Sequence, residues 1–317
     1  MLNRNAEALF WIGRYLERAE NHARLIDVYY HFTHDGQDAA GDARAARIID
    51  ALGARKDYEM MYPIIEEETA LAFITLDRSY PNSLLSCISQ ARNNLRTLRE
   101  KLPSELWDAL NGLHLWLQES APADFLEVSP HLFYKQVRDH IAVFWGVQQS
   151  VMMRENEWYL IGSGRYLERA ENVVRILRSV SLSSSSDPNA SYPYWLALLR
   201  SVSGYQSYRR IYADHFAAEP VMEFLLTNVA FPRSVHYAIS HLEQYLKKID
   251  PGEHAHDALR KKIIRTTEKL RADIACLERE DFAAGGIDGL LAGISDACMK
   301  IGALIAESFF RREEATA

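Results

Sequence analysis

The sequence has few cysteines, and their spacing excludes the structures that cysteine usually supports. Only three occur in 317 residues, Cys87, Cys276 and Cys298, with no Cys-x-x-Cys pair. Such a small, odd number of widely spaced thiols predicts neither a disulfide framework nor a zinc ribbon. Each lies in an apolar helical pattern, so we expect three buried structural thiols in a reducing compartment, the cytosol.

An excess of positive charge and a long apolar run are also lacking. The chain carries 36 Lys and Arg against 43 Asp and Glu, a formal net charge of -7, with basic and acidic residues interspersed. This pattern argues against a nucleic-acid partner. We identify no segment that approaches the roughly 18 apolar residues of a membrane span, and Arg4 and Glu7 interrupt the N-terminal stretch where a secretory leader would be apolar. We therefore expect a cytoplasmic protein with no membrane partner.

Strand patterns and metal-ligand patterns are absent as well. No stretch alternates convincingly with a period of two, so no sheet is predicted. Helical bundles hold di-iron centres with Glu-x-x-His motifs, and this chain has none. His236 and His241 are five residues apart and do not stack on one helix face, whereas His254 and His256 flank a predicted loop. We expect no metal and no cofactor.

The chief positive feature is an internal repeat. Residues 13–21 and 164–172 both read Gly-Arg-Tyr-Leu-Glu-Arg-Ala-Glu-Asn, an identity over nine consecutive positions at an offset of 151 residues. The same offset aligns distant residues, such as Gly53 with Gly204, and we call such residues counterparts. The sequence therefore predicts a tandem duplication with pseudo-twofold symmetry, in which repeats 1–151 and 152–317 are fused into one domain.

Each repeat is predicted to be all helical. In the first helix, apolar residues recur at spacings of three and four, which aligns them in one stripe that faces other helices. These residues are Leu9, Ile12, Leu16, Ala19, Ala23 and Ile26. A bundle of antiparallel helices is expected. In the second repeat, the crowding of Gly162, Ser163 and Gly164 predicts that the first helix bends or begins there.

The remaining helices follow from the same periodicity and from proline positions. Polar loops are predicted at 33–42 and 184–192, and each repeat also has a short third helix. The other predicted helices cover 43–61, a segment that begins at Pro81, 104–118 and 130–153, and in the second repeat 194–212, a segment that begins at Pro232, 256–279 and 287–312.

A charged stripe borders the apolar one in both repeats. Glu20 and Arg24 are spaced i,i+4 in the favourable orientation, as are Glu171 and Arg175, and exposed pairs of this kind contribute about 0.2–0.5 kcal/mol each. The candidate residues for a ligand site or a structural network are Arg14, Glu17, Arg18, Glu20, Asn21, Arg24, Arg165, Glu168, Arg169, Glu171, Asn172 and Arg175.

Two interpretations of this identical polar segment are open. Buried arginine forks that grip glutamates would fix the relative placement of helices. A functional site would instead use the arginines to hold a carboxylate or phosphate of a ligand. A fork closed on Glu and shielded from water would favour the structural network, and an open cleft with unpaired arginine would favour a ligand.

The chain resembles the bacterial alpha-E family, a helical domain of unknown function named for its Glu-Arg motif. The likeness covers essentially the whole chain. It rests on Met1-Leu2-x-Arg4, Ala6-Glu7, Trp11 to Asn21, Met153-Arg154, Trp158, Gly164 to Ala170, Tyr208-Arg209-Arg210-x-Tyr212 and Phe231 to Val235.

The resemblance implies a functional context. Such proteins are usually encoded beside, or fused to, a circularly permuted ATP-grasp ligase and a transglutaminase-like cysteine peptidase, in systems thought to make and cleave amide or peptide products. This chain lacks a Gly-rich phosphate loop and a strand to hold one, so ATP-grasp activity itself is not expected here. The first hypothesis is an accessory or substrate-binding partner of the ligase.

The second hypothesis is a stand-alone enzyme acting on an anionic carboxylate or peptide substrate. Glu17 and Glu168 would serve as acid or base. The substrate would be gripped by Arg14, Arg18, Arg165 and Arg169.

Overall fold

A computed structural model describes residues 3–32, 41–186, 191–250, 257–282 and 287–310. Every regular element in these ranges is a helix, as expected, and no strand occurs within them. The fold is therefore all-α. His254, His256 and residues 33–40 and 187–190 of the two predicted polar loops lie outside the described residues. The remaining loop residues, 41–42, 184–186 and 191–192, are helical, so the loop prediction is wrong there.

Within the described ranges, seven α-helices lie in each half. The first half comprises α1 (Asn3–Phe32), α2 (Gly41–Leu52), α3 (Arg55–Glu59), α4 (Glu67–Leu76), α5 (Leu84–Arg96), α6 (Ser104–Glu119) and α7 (Pro130–Val151), with a π-helical turn at Asp124–Val128. The second comprises α8 (Asn156–Ser186), α9 (Ser191–Ser201), α10 (Tyr205–Tyr212), α11 (Ala218–Thr227), α12 (Val235–Lys248), α13 (Asp257–Ala275) and α14 (Ile287–Phe309), with a 3-10 turn at Arg279–Phe282.

The apolar stripe of α1 forms the centre of the core. All six predicted stripe residues, from Leu9 to Ile26, are completely buried. Buried side chains from both halves belong to one continuous hydrophobic cluster. Because the stripe forms one face of α1, other helices must cover that face to bury it. Helices α5, α7 and α8 pack against α1.

Two glycines let α1 and α8 approach backbone to backbone. A Cβ atom on Gly13 would lie 2.0 Å from the carbonyl oxygen of Ile161, and one on Gly164 would lie 2.0 Å from that of Phe10. The alternative that the helix begins at Gly162, Ser163 and Gly164 is wrong, because α8 begins at Asn156 and continues through them. Close contact with α1, which only glycine permits, accounts for Gly164 in the helix.

The central helix pair is not antiparallel, contrary to the expectation from bundle folds. Gly13 contacts Ile161, and further along the chain Arg18 contacts Glu168. Near-equivalent positions therefore meet over successive turns, which requires α1 and α8 to run in the same direction. Short loops place sequential helices antiparallel, but they do not constrain two helices that are separated by the rest of a repeat.

The helices predicted at 43–61 and 194–212 are each broken in two. The chain turns at Gly53, whose φ is +69°, and in the second half at Ser203, whose φ is 54°. Both residues adopt the left-handed region, which ends an α-helix. The apolar periodicity continues across each turn, so the sequence pattern gave no sign that the helix ends there.

Replacing Gly53 should test this turn directly. Gly53→Ala is expected to lower the free energy of unfolding by about 1–2 kcal/mol, because a side chain is disfavoured at positive φ. Chemical denaturation would measure the change. Gly146→Ala is the matched control: Gly146 lies inside α7 with nothing near the added methyl group, so it should stabilise the protein. An unchanged stability in Gly53→Ala would contradict the assignment of strain to this turn.

Serine, rather than proline, begins the helices predicted from Pro81 and Pro232. The hydroxyl oxygen of Ser83 accepts a hydrogen bond from the backbone N–H of Ser86, and Ser234 does the same with Tyr237. Helices α5 and α12 thus begin after N-caps, and the prolines lie before them.

One described helix, α14, is long and apolar enough to span a membrane by length and composition, so the expectation that no such segment exists is wrong at that level. A mostly buried core helix passes the same test, and 33% of the apolar window of α14 is buried. Helix α14 packs against α8 and α13 through a buried row that includes Leu291, Cys298 and Ile301. A single helix of this kind is weak evidence for a membrane.

Candidate functional site

The repeated segments face each other where α1 and α8 meet. Glu17 and Arg18 on α1 lie opposite their counterparts Glu168 and Arg169 on α8, and each Glu binds the Arg of the other half. We call these four residues the Glu-Arg lock. Close helix approach at Gly13 and Gly164, one turn before, brings the two pairs within reach.

Glu17 is held by three arginines of the second half. Arg169 makes a two-point contact, with Nε donating to Oε1 at 2.7 Å and Nη2 donating to Oε2 at 2.7 Å. Arg165 donates to Oε2 at 3.3 Å, and Arg233 donates to Oε1 at 3.2 Å. Only 1% of Glu17 is exposed, so the carboxylate is closed off from solvent.

Glu168 is held in the same way from the first half. Arg18 donates from Nε to Oε1 at 2.8 Å and from Nη2 to Oε2 at 3.0 Å. Nε of Arg14 lies 2.6 Å from Oε2. Glu168 has no exposed surface. Two-point contacts of this geometry are the strongest form of charge-assisted hydrogen bond.

The surrounding arginines keep both carboxylates ionised. Burial alone would raise the pKa of Glu17, but the charges of Arg169, Arg233 and Arg165 outweigh it and hold that pKa far below its usual range. Burial likewise opposes ionisation of Glu168, yet Arg14 and Arg18 lower its pKa to about 2. A general acid must carry a proton near neutral pH. Neither glutamate does.

The outer glutamates differ between the two halves. Glu20 pairs with Arg24, as the i,i+4 spacing predicts, and also with Arg233. The corresponding prediction for Glu171 and Arg175 is wrong, because Arg14 reaches across from α1 and binds Glu171 at 3.1 and 2.6 Å. The i,i+4 spacing shows which ion pairs are possible within one helix. It does not account for a competing side chain on a neighbouring helix.

Arg175 and the two asparagines complete the candidate set. Arg175 donates to Oδ1 of Asn172 and to the carbonyl oxygen of Leu52 at 3.1 Å. Asn172 is buried, and so is Asn21, which joins none of the ion pairs between the two helices. The structure therefore unites eleven of the twelve predicted residues in one charged seam, and Asn21 lies beside it.

Sequence reasoning missed Arg233 as a member of the seam. This arginine lies just before α12 and contacts both Glu17 and Glu20. Its counterpart is Asn82, which instead accepts a hydrogen bond from Arg18. The exchange of Arg for Asn at equivalent positions, next to the aligned prolines 81 and 232, was the signal available in the sequence.

The cysteines and the remaining candidate metal ligands form no metal site among the described residues. Cys87 and Cys298 are buried as expected, but Cys276 is exposed near the end of α13, so the prediction of three buried thiols is wrong for it. Within the described ranges, no group of three or more His, Cys, Asp or Glu side chains could hold a metal ion. His236 and His241 both lie on α12.

The fold and the seam together define a class: all-helical domains in which paired Glu-Arg motifs join two helices. The model of the Alpha-E family, described as a predicted alpha-helical domain with a conserved ER motif, matches residues 1–310. The chain belongs to this family. In this chain, the two Glu-Arg pairs of the lock match the description.

Relatives extend well beyond this domain. Uncharacterized proteins of Mycobacterium bovis and of two strains of Mycobacterium tuberculosis are each 26% identical over 307 residues, covering 90% of this chain and 34% of theirs. The chain thus spans about a third of the length of these curated relatives. No solved structure is significantly similar to it.

Proposed function

We propose that this chain is an accessory or substrate-binding component of an ATP-grasp system that forms amide or peptide bonds. One observation carries the proposal: the glutamates of the Glu-Arg lock are buried and closed in ion pairs. Glu17 and Glu168 are 1% and 0% exposed, and each is gripped by arginines of the opposite half. Such an arrangement positions helices, and it leaves neither carboxylate available to a substrate.

The occurrence of the domain in longer relatives supports a role beside other activities. The matched segment makes up 34% of the mycobacterial relatives, so there the domain shares a chain with other segments. The circularly permuted ATP-grasp ligase that the family resemblance implies is our proposed partner, with a transglutaminase-like peptidase as a second. A cytoplasmic location stays a prediction.

The proposal is tested with the purified chain and the circularly permuted ATP-grasp ligase of the same genome. We expect the two to co-elute in size-exclusion chromatography and the chain to change the rate of ligase ATP hydrolysis. An unrelated acidic helical protein serves as the control. We also expect the chain alone to catalyse no reaction on carboxylate or peptide substrates.

Two outcomes would overturn the proposal. Absence of both binding and any effect on the ligase would remove the accessory role. Turnover by the isolated chain, lost on Glu17→Gln in a protein that still folds, would instead support a stand-alone enzyme that uses this glutamate.

A further inference from the structure

A small cavity lies beside the Glu-Arg lock in one half of the protein. Its volume is about 290 Å3, and its lining combines four polar side chains with a tyrosine. Gly53 is exposed at its edge, whereas His22 and Tyr80 are buried. The lining residues are Arg18, His22, Leu52, Gly53, Tyr80, Asn82 and Arg175. This volume is at the lower end of the range of small-molecule sites.

His22 presents unsatisfied polar atoms to this cavity. The residue is 1% exposed, and neither ring nitrogen makes a hydrogen bond of normal geometry to any described residue. The charge of Glu168 and the backbone of Asn82 favour the charged ring, but they do not outweigh the opposing effects. Burial, followed by the charges of Arg175 and Arg18, lowers the pKa of His22 to about 3. A buried polar group without a partner is costly and calls for an explanation, of which a bound ion is one.

Arginines outnumber glutamates in the charged seam that borders the cavity, and two of them, Arg18 and Arg175, line the cavity. In the seam, four glutamates face seven arginines, which are Arg14, Arg18, Arg24, Arg165, Arg169, Arg175 and Arg233. Arg175 forms an ion pair with no described carboxylate, since its partners are an amide oxygen and a backbone carbonyl. Burial lowers the pKa of Arg175, the charge of Glu168 opposes this effect, and the charge of Arg18 adds to it. A negative charge in the cavity would raise the pKa of Arg175 and so counter the effects of burial and of Arg18.

The other half of the protein lacks the features that make this cavity polar. The counterparts of His22 and Tyr80 are Val173 and Phe231, and the counterpart of Asn82 is Arg233. Arg233 extends to Glu17 and Glu20, where its guanidinium completes the ion pairs. The shorter Asn82 leaves that space open. The two halves thus share the lock and differ at the cavity.

We propose that this cavity binds a small oxyanion, the carboxylate or phosphate group of a metabolite, between Arg175, His22 and Asn82. Arg175 supplies a positive charge that forms no direct ion pair with a described carboxylate. The ring N–H of His22 and the amide N–H2 of Asn82 supply neutral donors, since Oδ1 of Asn82 is already used by Arg18. Arg18 itself stays with Glu168. The proposal rests on the proposed function only in assigning ligand binding to this chain.

Isothermal titration calorimetry of the isolated chain tests the proposal without a ligase, so either proposal can fail alone. Inorganic phosphate is one probe and succinate, a dicarboxylate, is the other. We expect at least one to bind, and which one binds identifies the class of oxyanion.

Substitutions taken from the other half locate the site. His22→Val and Asn82→Arg introduce the residue types found at the counterpart positions, Val173 and Arg233. A guanidinium at position 82 can fill the cavity and reach Glu168 and Glu171. Each should weaken binding by at least about tenfold, because charge-assisted hydrogen bonds are lost or displaced. Arg99→Gln is the control, since Arg99 lies in a separate basic cleft with Arg4 and Arg96.

A second measurement tests the site without any substitution, in case a variant fails to fold. The ring signals of His22, followed by nuclear magnetic resonance in the unsubstituted chain, should shift on addition of the bound probe. The proposal is overturned if neither probe binds at millimolar concentration, if binding survives Asn82→Arg and His22→Val, or if the His22 signals do not move.

Discussion

Glu168→Gln is expected to lower the free energy of unfolding by about 3–5 kcal/mol, because it removes one partner from a fully buried ion pair. The carboxylate has no exposed surface and binds Arg18 at two points and Arg14 at a third. A neutral amide leaves the buried guanidinium group of Arg18 without a counter-charge and leaves Arg14 with Glu171 alone. Urea denaturation followed by circular dichroism would measure the loss.

An exposed pair provides the matched control. Lys135 and Asp139 on α7 are 2.6 Å apart, and the Asp139 side chain is 61% exposed. Asp139→Asn also replaces a carboxylate by an amide, but water replaces the lost interaction, so the expected change is below about 0.5 kcal/mol. Equal effects of the two substitutions would show that the lock has no special structural role.

The pH dependence of stability gives a second check on Glu168. Its pKa is about 2 in the folded protein, below the ordinary value of 4.5. The stabilisation is therefore fully present above the ordinary value and is lost as the pH falls from there towards 2. Glu168→Gln should reduce this acid-induced loss, because the substituted side chain cannot take up the proton.

Gly13→Ala should destabilise the protein by at least about 3 kcal/mol, and the double substitution with Gly164→Ala should prevent folding. Overpacking usually costs about 1–3 kcal/mol when side chains can move aside. Here the new methyl group would lie 2.0 Å from the backbone oxygen of Ile161, and backbone cannot rotate away as a side chain can. Separating the helices would also pull the Glu-Arg lock apart.

Gly112→Ala distinguishes this steric effect from a general effect of alanine. Gly112 lies inside α6, and an added methyl group meets nothing within 4 Å. This substitution should raise stability by about 0.5–1 kcal/mol, the ordinary preference for alanine over glycine in a helix. Thermal unfolding of both variants would test the contrast. A stable, folded Gly13→Ala protein would contradict the close approach of α1 and α8.

Several helix boundaries were predictable, and the two missed helix breaks share one physical source. The predictions at 104–118 and 130–153 correspond closely to Ser104–Glu119 and Pro130–Val151, because apolar periodicity is a property of each helix alone. The predictions at 43–61 and 194–212 missed the turns at Gly53 and Ser203. Nothing in the periodicity changes at a single residue that adopts positive φ.

The sequence predicted most residues of the candidate site, but only some of the pairs that its arginines and glutamates form. The identical segments indicated which arginines and glutamates matter, and the criterion of a fork closed on Glu favours the structural network for the lock. The pairing of Glu171 with Arg14 could not be derived, because it depends on a helix 157 positions away in the chain. Arg233 and His22 lie outside the identical pattern, since their counterparts differ in type.

By itself the sequence determined the helical class, the repeated Glu-Arg segment and the charged side chains of the seam, because periodicity and identity at a fixed offset can be read along one chain. Only the tertiary structure decided that α1 and α8 run in the same direction, which arginine holds each carboxylate, and where space is left unfilled. These features depend on how closely two backbones approach at Gly13 and Gly164 and on the different reach of Asn82 and Arg233, which become meaningful only when distant residues are brought together.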